Sequence, residues 1–193
     1  MICALVLAAG RSRRMGTQKL LLPFHGRTVI EQVVDAILAA GIGQVFVVVG
    51  QDGAQIAQAL AGRAVHLVAN PDAAGDMLSS VRCGWRALPA ECAAVLVALG
   101  DQPMVGAALI RQVLRAYAES EHGMVVPVHH GQRGHPLLIA ARFGEEILTQ
   151  HEAVGLRGLL QAHPREVGEV SVTTSAVLTD FDTPEDYQSA LGQ

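Results

Sequence analysis

The chain has 193 residues, of which 50% are hydrophobic and 17% charged, with a formal net charge of -4 and a pI near 6.0. These values suit one globular domain with a sizeable core and exclude a disordered or low-complexity chain. They also argue against a general electrostatic pull toward nucleic acid or an anionic membrane, so any anion must be bound locally.

The opening stretch from Met1 to Gly10 is apolar, has no positive region before it and is followed at once by three arginines. That order reads as a buried strand rather than a signal peptide. No apolar run reaches the ~20 residues that span a bilayer, and the expectation is a soluble, cytoplasmic protein. Cys3, Cys83 and Cys92 are odd in number, lie in apolar surroundings and show no ligand spacing, which predicts buried free thiols rather than a disulfide framework.

Short β-branched runs predict strands over 3–7, 44–49, 65–68, 94–99 and 124–128, each buried on both faces. Between them, apolar residues at helical spacing predict helices over 29–40, 52–60, 78–88 and 107–119, with Gly41 as a helix stop. The alternation predicts an α/β fold, a doubly wound, mostly parallel sheet in a single domain over 1–193. After about Gly131 the alternation weakens. A short run over 137–140, helices over 143–149 and 154–162 and a strand over 169–173 read as an embellishment (129–193) of a core spanning 1–128. Thr183 is a good N-cap and Pro184 a good first helical residue for a closing helix over 187–191.

Ligands of open α/β sheets bind outside the carboxyl ends of the strands. After the first predicted strand, residues 7–23 read LAAGRSRRMGTQKLLLP, with Arg11, Arg13, Arg14 and Lys19 packed between and around two glycines. Backbone N–H groups of such a loop can face phosphate oxygens while the cations neutralise them. The loop is neither the Rossmann GxGxxG nor the Walker pattern, because five residues separate Gly10 from Gly16 and Thr17 follows it. The fourth strand delivers Gly100-Asp101-Gln102-Pro103 to the same edge, where Asp101 is either a turn former or a ligand for a hard cation. Asp182, near the start of the closing helix, reads equally as a ligand or as an acid at a helix N-terminus. Ser79 and Asp76 suit helix capping. His129, His130 and His135 fit no zinc spacing.

Every fixed letter of the pattern LAAGxSxRMGxxKLL is present from Leu7 to Leu21, and on this basis the chain resembles nucleotidyltransferases similar to the molybdenum cofactor cytidylyltransferases. The resemblance extends through GDQP at 100–103, GQRGHP at 131–136 and DFDTPEDY at 180–187, nearly the whole chain. It implies a Rossmann-like nucleotidyltransferase fold with a nucleotide-binding core over 1–128 and an acceptor side over 129–193. It implies nucleotide contacts from Leu7, Ala8, Ala9, Gly10, Arg11, Ser12, Arg14, Lys19, Asn70, Ser79, Ser80, Gly100 and Asp101. Arg14 would hold the β and γ phosphates and Lys19 the α-phosphate, with Asp101 and Asp182 binding Mg²⁺, for which Mn²⁺ is a substitute. Gln102, Arg133, Gly134, His135, Pro136 and Arg157 would line the acceptor pocket. Ala9, where related guanylyltransferases carry Gly, leans the donor toward CTP over GTP. The implied partners are a nucleoside triphosphate and a phosphorylated acceptor, molybdopterin first and a sugar 1-phosphate or other cofactor precursor next. Arg157 sits where relatives commonly have Gly-Asp-x-Gly-x-Arg, but this chain has Glu152-Ala153 in place of the Gly-Asp pair. A reading of a different class is a non-catalytic chaperone that hands a finished cofactor to a molybdoenzyme apoprotein. A nicotinamide-dependent dehydrogenase is disfavoured by the missing GxGxxG.

Overall fold

The computed structural model describes residues 1–10, 18–72 and 76–192. Its core is a mixed, mostly parallel sheet built around strand β1 (Ile2–Ala8). On one side β1 pairs in parallel with β4 (Val45–Val49), which pairs in parallel with β5 (Val65–Ala69). On the other side β1 pairs in parallel with β6 (Ala94–Leu99). Beyond β6 come β9 (Leu137–Ala140), β7 (Met124–His129) and β10 (Val167–Ser171), with β9 the antiparallel member of that row. A two-residue strand β8 (Gln132–Arg133) folds back on β7, and β2 (Pro23–Phe24) with β3 (Arg27–Thr28) forms a separate small hairpin.

The strand sequences explain their place. In β1, Ala4, Val6 and Ala8 face one core while Cys3 and Leu5 face the other. Successive residues of a strand point to opposite faces, so a run buried on both must be apolar throughout. Helices α1 (Val29–Ala39), α2 (Gly53–Ala59), α4 (Ala107–Ala118) and α7 (Pro184–Leu191) cover the first face. The second is covered by α3 (Met77–Arg86), α5 (Gly144–Thr149) and α6 (Leu156–Ala162). None of the described helices is long and apolar enough to cross a membrane.

The predicted elements are present with ends displaced by a few residues. The expectation of burial on both faces fails for β5, where Leu67 is 42% exposed. As the outer strand of its side it receives less cover, so its apolar content signals strand formation rather than depth. The run over 137–140 is no peripheral piece. Its four residues are all buried, and it is inserted between β6 and β7. Cys3 and Cys92 are buried free thiols, but Cys83 is only partly so. Burial, and then the neighbouring Cys92, push the Cys3 thiol up to about 12, which makes it inert.

Candidate active site

The chain goes from β1 outward to β4 and β5, then returns to place β6 on the opposite flank of β1. This reversal opens a crevice at the carboxyl ends of β1 and β6, where open α/β sheets bind ligands. At the rim Gly100 donates its N–H to the Leu7 carbonyl at 3.0 Å, and a Cβ on Gly100 would lie 2.9 Å from that same oxygen. Only glycine lets the two strand ends approach so closely.

Three segments converge on this rim. Lys19 opens a short 3₁₀ turn (Lys19–Leu21) fixed by the buried Leu20, and its own side chain is 11% exposed. Asp101 follows β6. The closing segment carries Asp180, Phe181 and Asp182, whose alternation sends the aromatic ring inward and the acids toward the crevice. Phe181 is fully buried, with edge contacts to Phe24 and Tyr187 at 5.5 and 5.9 Å, and its N–H donates to the Asp101 carbonyl at 3.1 Å. Thr183 then caps α7, as the sequence predicts, and the structure adds a reciprocal bond from Asp186.

The result is a compact charge cluster. The Lys19 ammonium donates to Asp101 Oδ2 at 2.6 Å and to Asp182 Oδ1 at 3.0 Å. Burial alone would lower the Lys19 pKa, but the two carboxylates carry it above its ordinary value, so it stays charged. Carboxylate oxygens of Asp101, Asp180 and Asp182 lie within 4.8 Å of one another, close enough to share a metal ion. Burial and the charge of Asp101 push the Asp180 carboxyl up. Asp180 is the member that sequence reasoning missed; the alternation Asp-Phe-Asp was its available signal.

Around this cluster lies a cavity of about 330 Å³, whose lining includes Leu7, Ala9, Gly10, Ser80, Asp101 and Asp182. Ala8 faces a neighbouring recess of about 200 Å³ that reaches Gly50 and Asp52. Asn70 is 7% exposed and donates to the hydroxyls of Ser79 and Ser80 at 3.0 and 3.1 Å, so it fixes the first turn of α3 against the end of β5. Asp76 caps that helix by accepting from the Ser79 N–H at 2.9 Å. Arg11, Ser12 and Arg14 lie outside the described residues.

A larger cavity of about 810 Å³ opens beside the first, and Asp76 and Met77 line both. Of the expected acceptor residues, Arg133, Gly134, His135 and Arg157 line it. Arg133 is ion-paired with Glu169 at 2.8 Å. Gly134 is pressed against Val177, whose carbonyl oxygen would be 2.2 Å from an added Cβ. Burial lowers the pKa of His135, opposed by the charge of Asp101. Gln102 and Pro136 are elsewhere. Both line a core void of about 10 Å³, and Gln102, 4% exposed, donates to the Val177 carbonyl at 3.4 Å. The metal cluster among the described residues contains no histidine; His129 instead contacts the Val172 carbonyl at 3.1 Å.

Comparison with known proteins places this geometry in context. The chain is 25% identical over 190 residues to the molybdenum cofactor cytidylyltransferase of Escherichia coli K12, covering 98% of this chain and 95% of that protein. It is 30% identical over 206 residues to the nicotine blue oxidoreductase of Paenarthrobacter nicotinovorans, covering 98% and 96%. The crystal structure of Rv0371c from Mycobacterium tuberculosis H37Rv in complex with manganese superimposes with a TM-score of 0.84 at 26% identity, over 100% of this chain and 98% of that one. The family described as MobA-like NTP transferase domain matches residues 4–167. That match runs from Ala4 in β1 to Val167 at the start of β10 and takes in Lys19 and Asp101, so the chain belongs to the MobA-like NTP transferase family and is a nucleotidyltransferase.

Proposed function

We propose that the protein transfers CMP from CTP to the phosphate of molybdopterin and releases pyrophosphate, with Mg²⁺ as cofactor and Mn²⁺ as a substitute. The observation that carries the reading is the bonding of Lys19 to Asp101 and Asp182 at the crevice, flanked by cavities of about 330 and 810 Å³.

The carboxylates fit a hard divalent cation, since Mg²⁺ and Mn²⁺ take oxygen ligands and are commonly held by one or two carboxylates together with substrate phosphates. Asp101 and Asp182, joined by Asp180, would hold it, and the bound ion supplies charge neutralisation and orientation to the phosphates. The rest falls to the chain. Lys19 offers a permanent, nearly buried ammonium to charge developing at the α-phosphate, where low solvent exposure strengthens its effect. Arg14 serves the departing pyrophosphate. Asn70, by fixing Ser79 and Ser80, sets the first turn of α3 beside the nucleotide. An acceptor phosphate oxygen forms the new bond to the α-phosphorus as the bond to the bridging oxygen breaks. That oxygen is already ionised, so no general base is needed and bringing the two polyanions together is the main task.

Ala9, the similarity to the E. coli cytidylyltransferase and the manganese complex of Rv0371c support donor, acceptor and metal in turn. A redox reading has one observation behind it, the similarity to the nicotine blue oxidoreductase. Thermal unfolding with CTP, GTP, UTP, ATP and NADPH, each with and without Mg²⁺, separates the readings. A ligand at 100 times its Kd stabilises by about 2.7 kcal/mol. The expected result is a metal-dependent shift led by CTP, followed by pyrophosphate release once molybdopterin is added. A shift led by GTP would move the assignment to guanylyl transfer, protection by NADPH alone would favour the redox reading, and CTP binding without pyrophosphate release would favour the chaperone.

A further inference from the structure

The larger cavity contains an arrangement to which the transfer chemistry above assigns no role. Its outer wall is the loop between α5 and α6, and that loop is tied to α3 by one side chain. Arg82, on α3, donates from Nε to the Ile147 carbonyl at 2.8 Å, and from Nη2 to the Gln150 carbonyl at 2.7 Å and to Glu152 Oε1 at 2.9 Å. The Arg82 side chain is 17% exposed, whereas that of Glu152 is 68% exposed and lines the cavity. A planar guanidinium holding two carbonyls and a carboxylate together fixes orientation as well as charge. On the same wall Arg157 is exposed and has no hydrogen bond or ion pair among the described residues. Met77 and Val154, both about half exposed, provide apolar surface within the cavity.

We propose that Glu152 is the acceptor-specificity residue of this chain, held in place by Arg82 as a positioning residue. Its carboxylate accepts hydrogen bonds from a donor-rich edge, of amino and ring N–H groups, on a heterocyclic acceptor whose phosphate end points toward the crevice. The inference rests on the transferase reading above. A carboxylate accepts hydrogen bonds and donates none, so it rewards a ligand edge that presents donors and penalises one that presents carbonyls. The hydrogen bonds from its own backbone N–H and from Arg82 hold the Glu152 pKa below the ordinary glutamate value, so the acceptor character persists across the neutral range.

The test is steady-state pyrophosphate release by the full chain, with CTP as donor and molybdopterin freed from a purified molybdoenzyme as acceptor. Glu152→Gln keeps the size and the bond to Arg82 but replaces one acceptor with a donor. It is expected to raise the KM for molybdopterin by about tenfold or more, as loss of a charge-assisted hydrogen bond does, leaving the KM for CTP and the melting temperature unchanged. Arg82→Lys keeps the charge and loses the fork; it is expected to raise the same KM by a smaller factor, again without moving that for CTP. An unchanged acceptor KM in Glu152→Gln overturns the proposal, as does a variant that shifts both KM values and the melting temperature together, which marks the contact as structural. A wild type that binds CTP but releases no pyrophosphate removes the transferase reading itself, and the inference falls with it.

Discussion

The crevice and the acceptor wall sit side by side yet are held by different means. At the crevice Asp101 and the strand ends are fixed by backbone hydrogen bonds of the sheet and by Phe181 beneath them, and Lys19 closes the cluster from a buried turn. The acceptor wall has no such ladder. Its loop, which includes positive φ at His151 and Gly155, is pinned by side chains: Arg82 from one side, and Glu146 accepting from His151 at 2.8 Å and His163 at 2.7 Å from the other. The charges that the proposed function assigns to transfer thus ride on segments tied to the sheet by backbone hydrogen bonds. Under the proposed function, recognition of the acceptor rests on contacts that single substitutions can change without disturbing the sheet.

The contrast can be broken most severely at Phe181. Phe181→Ala is expected to destabilise the protein by about 3–5 kcal/mol through the cavity it leaves, measured by denaturant unfolding, and to weaken Mn²⁺ binding because Asp180 and Asp182 lose their anchor. Asp101→Ala should leave the fold in place and lower transfer on the order of 10²-fold or more, with loss of the Mg²⁺-dependent thermal shift by CTP. On the acceptor side, Glu146→Gln is expected to cost roughly 1–2 kcal/mol at neutral pH, with CTP binding unaffected. Its pH dependence has a defined sign. Burial pushes the Glu146 carboxyl up, but the bonds from His151 and His163 outweigh it and hold the folded pKa below the ordinary value. The stabilisation is therefore present above the unfolded-state pKa and is lost as pH falls through the folded one, so the gap between wild type and variant should narrow on the acid side. Equal gaps at all pH values would show that the charge of Glu146 is not what pins the loop. The smallest effect is expected from Thr183→Ala, about 1 kcal/mol from loss of the α7 cap, read as a lower melting temperature with transfer largely retained.

Much of the crevice was legible in the chain itself. Strand runs such as Ala94–Leu99 are apolar on both faces, the residues just past them are polar and glycine-rich, and the rule that open sheets bind at strand carboxyl ends joins Gly10, Lys19 and Asp101 without coordinates. The closing cap was legible for a similar reason, since Thr183 and Pro184 act within one turn; the reciprocal bond from Asp186 was added by the structure. Asp180 escaped because its role depends on which way Phe181 points, and that is settled by packing against Phe24 and Tyr187. Gln102 and Pro136 were expected in the acceptor pocket from the family resemblance, yet the direction of the chain turns them into the core.

Local sequence thus determined the elements, their alternation and the residues available at each strand end, because periodicity and capping act over a few residues. Tertiary structure alone decided that β9 would be inserted antiparallel beside β6, that Lys19 would bridge acids 82 and 163 positions away, and that Arg82 would reach Glu152 across 70 residues. Those outcomes depend on how separate apolar faces pack on one sheet, and contacts between segments so distant leave no periodic trace in either one.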